Sequence, residues 1–285
     1  MKIAIIGSNG FLGTKATEIL SKNYQLVIAG RSNDGEFQLD ATNKDQIRDF
    51  LLKHQPDIVL DTVALTSSTQ CENNPKLAAD LNYLTAKNIS EVCQKIGAYM
   101  VFISSTYLFD GKKGNYKETD ETKPINEYAR TKIMAEKEVL KNPKSLILRV
   151  DVMYGYNGKN KKNGVFDMIL SGNPIKLRQP DQLRQPIFVD DVPRIMIELI
   201  RKNQTGIFHL AGPNRITMID FLKNLESIFR ENSLISIDLA QGNSIKMPKI
   251  PFNATFDTSK VESLGIKFTS LKDGLEKMNR KLAEN

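Results

Sequence analysis

Apolar positions in the first 150 residues follow two rhythms in turn. Short, nearly unbroken apolar runs recur at 2–6, 25–29, 58–60, 99–103 and 145–150, with a shorter alternating one at 37–40. Each has strand length and is rich in β-branched or aromatic residues. Between them lie longer stretches of helical character: one ending near Ser21, one from Asn43 to His54 with Ile47, Phe50 and Leu51 on its apolar face, then 76–96 and 126–141. Strands that are apolar at consecutive positions have both faces covered. A βα alternation with right-handed crossovers therefore predicts an α/β fold built on a doubly wound parallel sheet over residues 1–150. After Arg149 the rhythm breaks into loop-like sequence around Tyr154-Gly155-Tyr156-Asn157-Gly158. Residues 151–285 are expected to form a smaller mixed α/β lobe, with 186–210 returning to complete the sheet through a helix near 190–202 and a strand at 206–210.

Composition narrows the classes of function. The chain has 285 residues, 40% of them hydrophobic, enough for one large domain or two unequal ones. Forty basic residues against 33 acidic ones give a net charge of +7. The two signs are interleaved, which argues against nucleic acid and suits a phosphorylated substrate. The densest cluster, Lys159-Asn160-Lys161-Lys162, reads as a solvated loop. Two cysteines, Cys71 and Cys93, are too few for a disulfide framework and are expected as free thiols. Two histidines and no Gly-x-Ser-x-Gly elbow argue against a serine-hydrolase triad and a histidine-rich zinc site; no metal is expected. The apolar run Ile3-Ala4-Ile5-Ile6 is too short for a signal peptide, and no later run has membrane-spanning length, so a cytoplasmic protein with no membrane partner is expected.

Two stretches carry chemistry. Gly7, Gly10 and Gly13 lie between the first strand and the first helix, where free backbone N–H groups and the positive helix end can receive a pyrophosphate. Their spacing, Gly-x-x-Gly-x-x-Gly, is neither a P-loop nor Gly-x-Gly-x-x-Gly, and the strand-helix context makes it a dinucleotide signal. The second strand ends Ala29-Gly30-Arg31, and an arginine there accommodates the 2′-phosphate of NADP, while Asp34 and Glu36 nearby keep NAD open. The fifth strand ends in hydroxyls, Ser104-Ser105-Thr106, and the next helix carries Tyr128 and Lys132 one turn apart. An unperturbed tyrosine has a pKa of about 10, and a neighbouring ammonium favours its phenolate. Tyr83 and Lys87 repeat the spacing, but only Tyr128 follows a hydroxyl-ended strand, where ligands of parallel sheets bind.

Taken together, these residues resemble the extended short-chain dehydrogenase/reductases, and within them the dTDP-4-dehydrorhamnose reductase family. The resemblance covers most of the chain: the three glycines, Ala64-Leu65-Thr66 with Cys71-Glu72-x-x-Pro75, Asn82, Ser104 to Gly111, Tyr128 with Lys132, Leu148-Arg149 before Tyr154-Gly155, Pro186 to Val192, and His209-Leu210-Ala211-Gly212. It implies a Rossmann-type fold and NADPH-dependent reduction of a 4-keto nucleotide sugar, with Ser105, Tyr128 and Lys132 catalytic. Cofactor contacts are implied at Gly7, Asn9, Gly10, Phe11, Leu12, Gly13, Arg31, Asp40, Ala64, Leu65, Asn82, Tyr128 and Lys132. Substrate contacts are implied at Ser105, Thr106 and Arg184, and a homodimer is compatible with the family. Two departures stand out. The family's Ser-Thr-Asp-Tyr-Val-Phe is Ser-Ser-Thr-Tyr-Leu-Phe here, which leaves the catalytic role open between Ser105 and Thr106, and its arginine-proline is Lys249-Ile250-Pro251. The pattern also resembles other sugar-nucleotide epimerases and dehydratases and the regulatory β subunit of methionine adenosyltransferase. Basic residues Lys176, Arg178, Arg184, Lys246 and Lys249 are the candidates for gripping a nucleoside diphosphate, Arg184 first because of its position in the resemblance, just before the Pro186 to Val192 element, and a guanidinium fork suits phosphate.

Overall fold

The structure is a computed structural model that describes the chain except residues 33–36, 160, 172–174, 176, 178, 229–247 and 285. The first half alternates as the apolar pattern demands: β1 (Lys2–Ile6), α1 (Phe11–Leu20), β2 (Gln25–Gly30), β3 (Phe37–Gln38), α2 (Lys44–His54) and β4 (Ile58–Asp61). Short helices α3 (Ser68–Asn73) and α4 (Pro75–Ala79) lead through a π-helical turn at Asp80–Leu84 into α5 (Thr85–Ile96), followed by β5 (Tyr99–Ser105), α6 (Glu127–Val139) and β6 (Ser145–Val150). Beyond it come β7 (Met153–Tyr154), α7 (Phe166–Leu170), β8 (Leu183–Arg184), β9 (Ile187–Phe188), α8 (Asp191–Arg201) and β10 (Gly206–Leu210). The chain closes with β11 (Ile216–Thr217), α9 (Met218–Ser227), α10 (Ser259–Glu262) and α11 (Leu271–Ala283).

Seven strands form one sheet in the order β10-β6-β5-β4-β1-β2-β3, and every pairing is parallel. This is a Rossmann-like α/β fold. One face carries Ile3, Ile5, Leu60, Leu148 and Phe208 under α1 and α8; the other carries Ala4, Ile6, Val59, Met100 and Ile147 under α2, α5 and α6. A separate apolar cluster of Tyr154, Phe166, Phe221, Leu225, Leu275 and Met278 holds the later elements together.

Two elements differ from the sequence expectation. The third strand stops at Gln38, because the Asp40 carboxylate turns the chain by accepting from the Thr42 N–H at 2.9 Å and its hydroxyl at 2.7 Å. The single helix expected over 76–96 is interrupted by the π turn. There the Thr85 N–H donates to the Asp80 carbonyl, five residues back, and the Thr85 hydroxyl lies between that carbonyl at 3.1 Å and the Ala41 carbonyl at 2.9 Å. The wider turn drives Asn82 fully inward.

Candidate active site

The glycine loop is held by contacts that leave no room for side chains. Gly7 has φ +92°, and a Cβ there would stand 2.6 Å from the Thr62 hydroxyl; at Gly13 it would meet the Gly7 carbonyl at 2.3 Å. The Gly10 N–H donates to that carbonyl at 3.0 Å and starts α1. Ser8 Oγ and Asn9 Oδ1 are buried with no protein partner, beside a cavity of about 1170 Å³ that they help line. Unsatisfied oxygens at the start of a helix are what a dinucleotide's hydroxyls and phosphates would satisfy. Lys161 and Lys162, expected only as solvated loop, also border this cavity. Phe11 packs against Gly155 and Gly164 and its carbonyl accepts from Asn157 Nδ2 at 3.0 Å, whereas the Leu12 side chain enters the sheet core.

Other predicted cofactor residues spread along the strand ends. Arg31 is exposed after β2 and shares a second cavity, of about 630 Å³, with Asp40. The Thr42 hydrogen bonds, with the Arg31 charge adding to them, hold the Asp40 carboxyl below its ordinary range. Ala64 is exposed and Leu65 half-buried after β4. Asn82 braces that segment: its Oδ1 accepts from the Leu65 N–H at 2.7 Å, and its Nδ2 donates to the Leu65 carbonyl at 3.2 Å and to Thr131 Oγ1 at 3.1 Å. Its amide is engaged by the protein, so Asn82 shapes the cleft through Leu65.

Tyr128 lies in the first turn of α6, whose N-cap is Asn126; the Asn126 side chain accepts from the Ala129 N–H at 2.8 Å and donates to the Lys249 carbonyl at 2.9 Å. Burial pushes the Tyr128 phenol up to about 12, while a hydrogen bond with Ser105 works the other way. Of the two candidate hydroxyls, Ser105 thus reaches Tyr128, and Thr106 instead contacts Asp151 at 3.4 Å. Lys132 is fully buried and its ammonium lies 3.9 Å from the Phe102 ring centroid. Burial draws it down to about 8, opposed by the charges of Asp61 and Glu136. Asp61 ends β4 in register with Phe102; it is pushed up to about 6 by burial, against the pull of Lys132, and its Oδ2 has no partner. Sequence reasoning passed over Asp61, although a lone acid closing the apolar run Ile58-Val59-Leu60 was a legible signal. The Tyr83 and Lys87 pair falls across the π turn, and Lys87 pairs with Glu91 at 3.8 Å.

Arg184 is not a surface residue. It is buried in an ion pair with Asp151, over the ring of Tyr107. Lys249 is exposed and borders a cavity of about 590 Å³ that Lys112, Lys123 and Asp110 also line. Lys176, Arg178 and Lys246, like Asp34 and Glu36, lie outside the described residues. Both cysteines are free and buried, and no cluster of metal-binding side chains occurs among the described residues. No helix among them is long and apolar enough to cross a membrane.

A parallel sheet with a glycine cradle at its first crossover and a buried tyrosine at its strand ends is the architecture of the short-chain dehydrogenase/reductases, and this chain is of that class. More narrowly, it belongs to the RmlD substrate binding domain family, which matches residues 1–284. A probable low-salt glycan biosynthesis reductase, Agl14, of Haloferax volcanii is 27% identical over 95% of both chains. Methionine adenosyltransferase 2 subunit beta of Bos taurus is 28% identical over 93% of this chain and 83% of its own. Among solved structures, dTDP-4-dehydrorhamnose reductase from Bacillus anthracis in complex with NADP superposes with a TM-score of 0.85, at 27% identity, over 100% of this chain and 99% of that one.

Proposed function

We propose that this protein is an NADPH-dependent reductase of the keto group of a nucleotide-linked sugar, with residues 1–150 holding the cofactor and 151–285 the sugar nucleotide. The observation that carries the reading is Tyr128, buried at the strand ends with Ser105 on its hydroxyl and Lys132 one turn further along α6. When bound, NADPH supplies the hydride. The unpartnered Ser8 hydroxyl and the N–H groups at the start of α1 fit its pyrophosphate, Asn9 Oδ1 fits a ribose hydroxyl, and Arg31 fits its 2′-phosphate. Tyr128 then gives its proton to the sugar oxygen, Ser105 steadies that oxygen, and Lys132 favours the phenolate left behind. The cavity edged by Lys112, Lys123 and Lys249 adjoins the start of α6, through the Asn126 bond to Lys249, and offers positive charge to a nucleoside diphosphate.

The test is NADPH oxidation, followed by absorbance, with a dTDP-linked 4-keto-6-deoxy sugar beside the same sugar freed of its nucleotide. Turnover confined to the nucleotide-linked sugar is expected. A protein that binds NADPH but oxidises none of it would refute the enzymatic reading. The likeness to a methionine adenosyltransferase β subunit favours a regulatory, cofactor-binding role as the second reading, and that outcome would support it.

A further inference from the structure

Beside Tyr128 stands a cation that the reduction as described does not use. The Arg184 side chain is 7% exposed, and its Nη2 is ion-paired with Asp151 Oδ1. Asp151 is itself locked, accepting from the N–H of Val152 at 2.7 Å and of Gln185 at 2.6 Å. The remaining donors of the guanidinium, Nε and Nη1, are buried without a partner. The guanidinium carbon lies 5.2 Å from the Tyr107 ring centroid, and that ring meets the Tyr128 ring edge-on at 6.1 Å. Two unsatisfied donors on a clamped, buried arginine beside the proton donor are costly in the free protein and call for a role.

Tyr128 is faced by Cys71 from α3, by Ser105 and Tyr107 from the end of β5 and by Arg184, with its counter-ion Asp151, from β8, while Lys132 follows one turn along the same helix. Cys71 has the carboxylates of Glu72 and Glu127 around it. Only Lys132 and Arg184 bring positive charge. Lys132 is weakened in this respect, since burial brings it to about 8 and its field is shared with Asp61. A guanidinium cannot be deprotonated in a protein. Burial works against the Arg184 charge, and Asp151 together with the Tyr107 and Tyr128 hydroxyls more than offsets it.

We propose that Arg184, clamped by Asp151, is the permanent positive charge that draws the Tyr128 hydroxyl toward ionisation, and so sets the pH range over which Tyr128 donates its proton. Arg184 is then a positioning residue acting through Tyr128 rather than a ligand of the diphosphate. The inference rests on Tyr128 being the proton donor.

Two measurements test it. In the reductive direction Tyr128 must be protonated, so kcat falls as pH rises through its pKa. A nearby cation lowers the pKa of an acid, so Arg184→Gln should shift that falling limb upward by about 1 unit and, by making Tyr128 a weaker acid, lower kcat near pH 7 by up to about tenfold. Arg184→Lys should restore the limb. Because Arg184→Gln leaves Asp151 buried without its cation, Arg184→Gln/Asp151→Asn is measured alongside and should show the same displacement. A raised KM with the limb unmoved would overturn the proposal in favour of diphosphate binding. The second measurement needs no turnover: ¹³C NMR of the NADP-bound protein carrying [ζ-¹³C]tyrosine, with Tyr128→Phe to assign the resonance. A higher pH midpoint for the ionisation of Tyr128 in Arg184→Gln, followed by titrating the resonance upward in pH, supports the inference, even where the wild-type protein reduces no sugar. Equal midpoints would sink it.

Discussion

The helix that carries Tyr128 and Lys132 is fastened to the sheet by one buried ion pair, and breaking it is the sharpest stability test of the structure. Glu136, one turn beyond Lys132, accepts from Arg149 of β6 through two parallel bonds, Nε to Oε1 at 2.9 Å and Nη2 to Oε2 at 2.7 Å. The side chains are 5% and 4% exposed. Arg149 Nη1 also lies 3.3 Å from His209 Nε2, whose ring Nδ1 faces the Tyr116 carbonyl at 3.0 Å. The neutral tautomer with the proton on Nδ1 satisfies both neighbours. Arg149→Met strips Glu136 of its partner and leaves a carboxylate in the interior, a loss of about 4 kcal/mol. For a chain of this size that lowers Tm by roughly 10 °C. Replacing both members, Arg149→Met/Glu136→Leu, removes the stranded charge and should recover all but about 1 kcal/mol, the part belonging to the His209 bond. Urea unfolding of the three proteins, with NADPH binding as a check on the native state, measures the cycle. A single substitution costing under about 1 kcal/mol, or a double variant no more stable than the single, would show that the pair is not the buried anchor described.

Three further outcomes are expected. Tyr128→Phe should reduce turnover by a factor on the order of 10² to 10⁴ with NADPH binding retained, and Tyr83→Phe should leave turnover intact; the reverse ranking would move the site. Arg31→Ala should weaken NADPH binding far more than NADH binding, since a charge-assisted bond to the 2′-phosphate contributes about 1.5–3 kcal/mol, and equal losses would make Arg31 a bystander. His209 is pushed down to about 3 by burial and by the Arg149 charge, against about 6.5 in the unfolded chain. Its contribution to stability is therefore complete above about pH 6.5 and is lost toward pH 3, at up to about 1.4 kcal/mol per pH unit. Acid unfolding should be correspondingly less steep in His209→Gln, and identical slopes would refute the assignment.

The central strands of the sheet were legible because they are covered on both faces and so read as apolar runs, whereas the half-exposed edge strand β3 leaves only a short signal at Phe37 and Leu39. The Tyr128 helix was legible through context, a hydroxyl-ended strand followed by a capped helix. The π turn at Asp80–Leu84 was not, since its hydrophobic spacing hardly differs from that of an α-helix and the Thr85 hydroxyl at its end meets the Ala41 carbonyl, far back in the chain. Arg184 stands in a polar stretch that looks solvated; its burial is decided by Asp151, 33 positions earlier, and by the ring of Tyr107. Lys15 is a parallel case, a lysine at a helical position that looks exposed but is buried against Glu18, Asp190 and the Tyr156 carbonyl. For both basic residues a tertiary counter-charge supplies what the local sequence does not announce.

The place of β10 governs how this polypeptide can be divided. The strand comes from the second half of the sequence, yet it pairs along the whole of β6, Gly206 with Leu146 through Leu210 with Val150. A fragment ending at Val150 would contain every residue assigned to the cofactor and still expose β6 as an apolar, proline-free edge with unpaired N–H and C=O groups, the kind of edge that recruits other chains. It would also lose α8, whose Val192, Ile195, Met196 and Leu199 cover one face of the sheet. Shortened versions should therefore keep the α8 and β10 segment, and expression of residues 1–150 alone should yield aggregate rather than a small dinucleotide-binding domain.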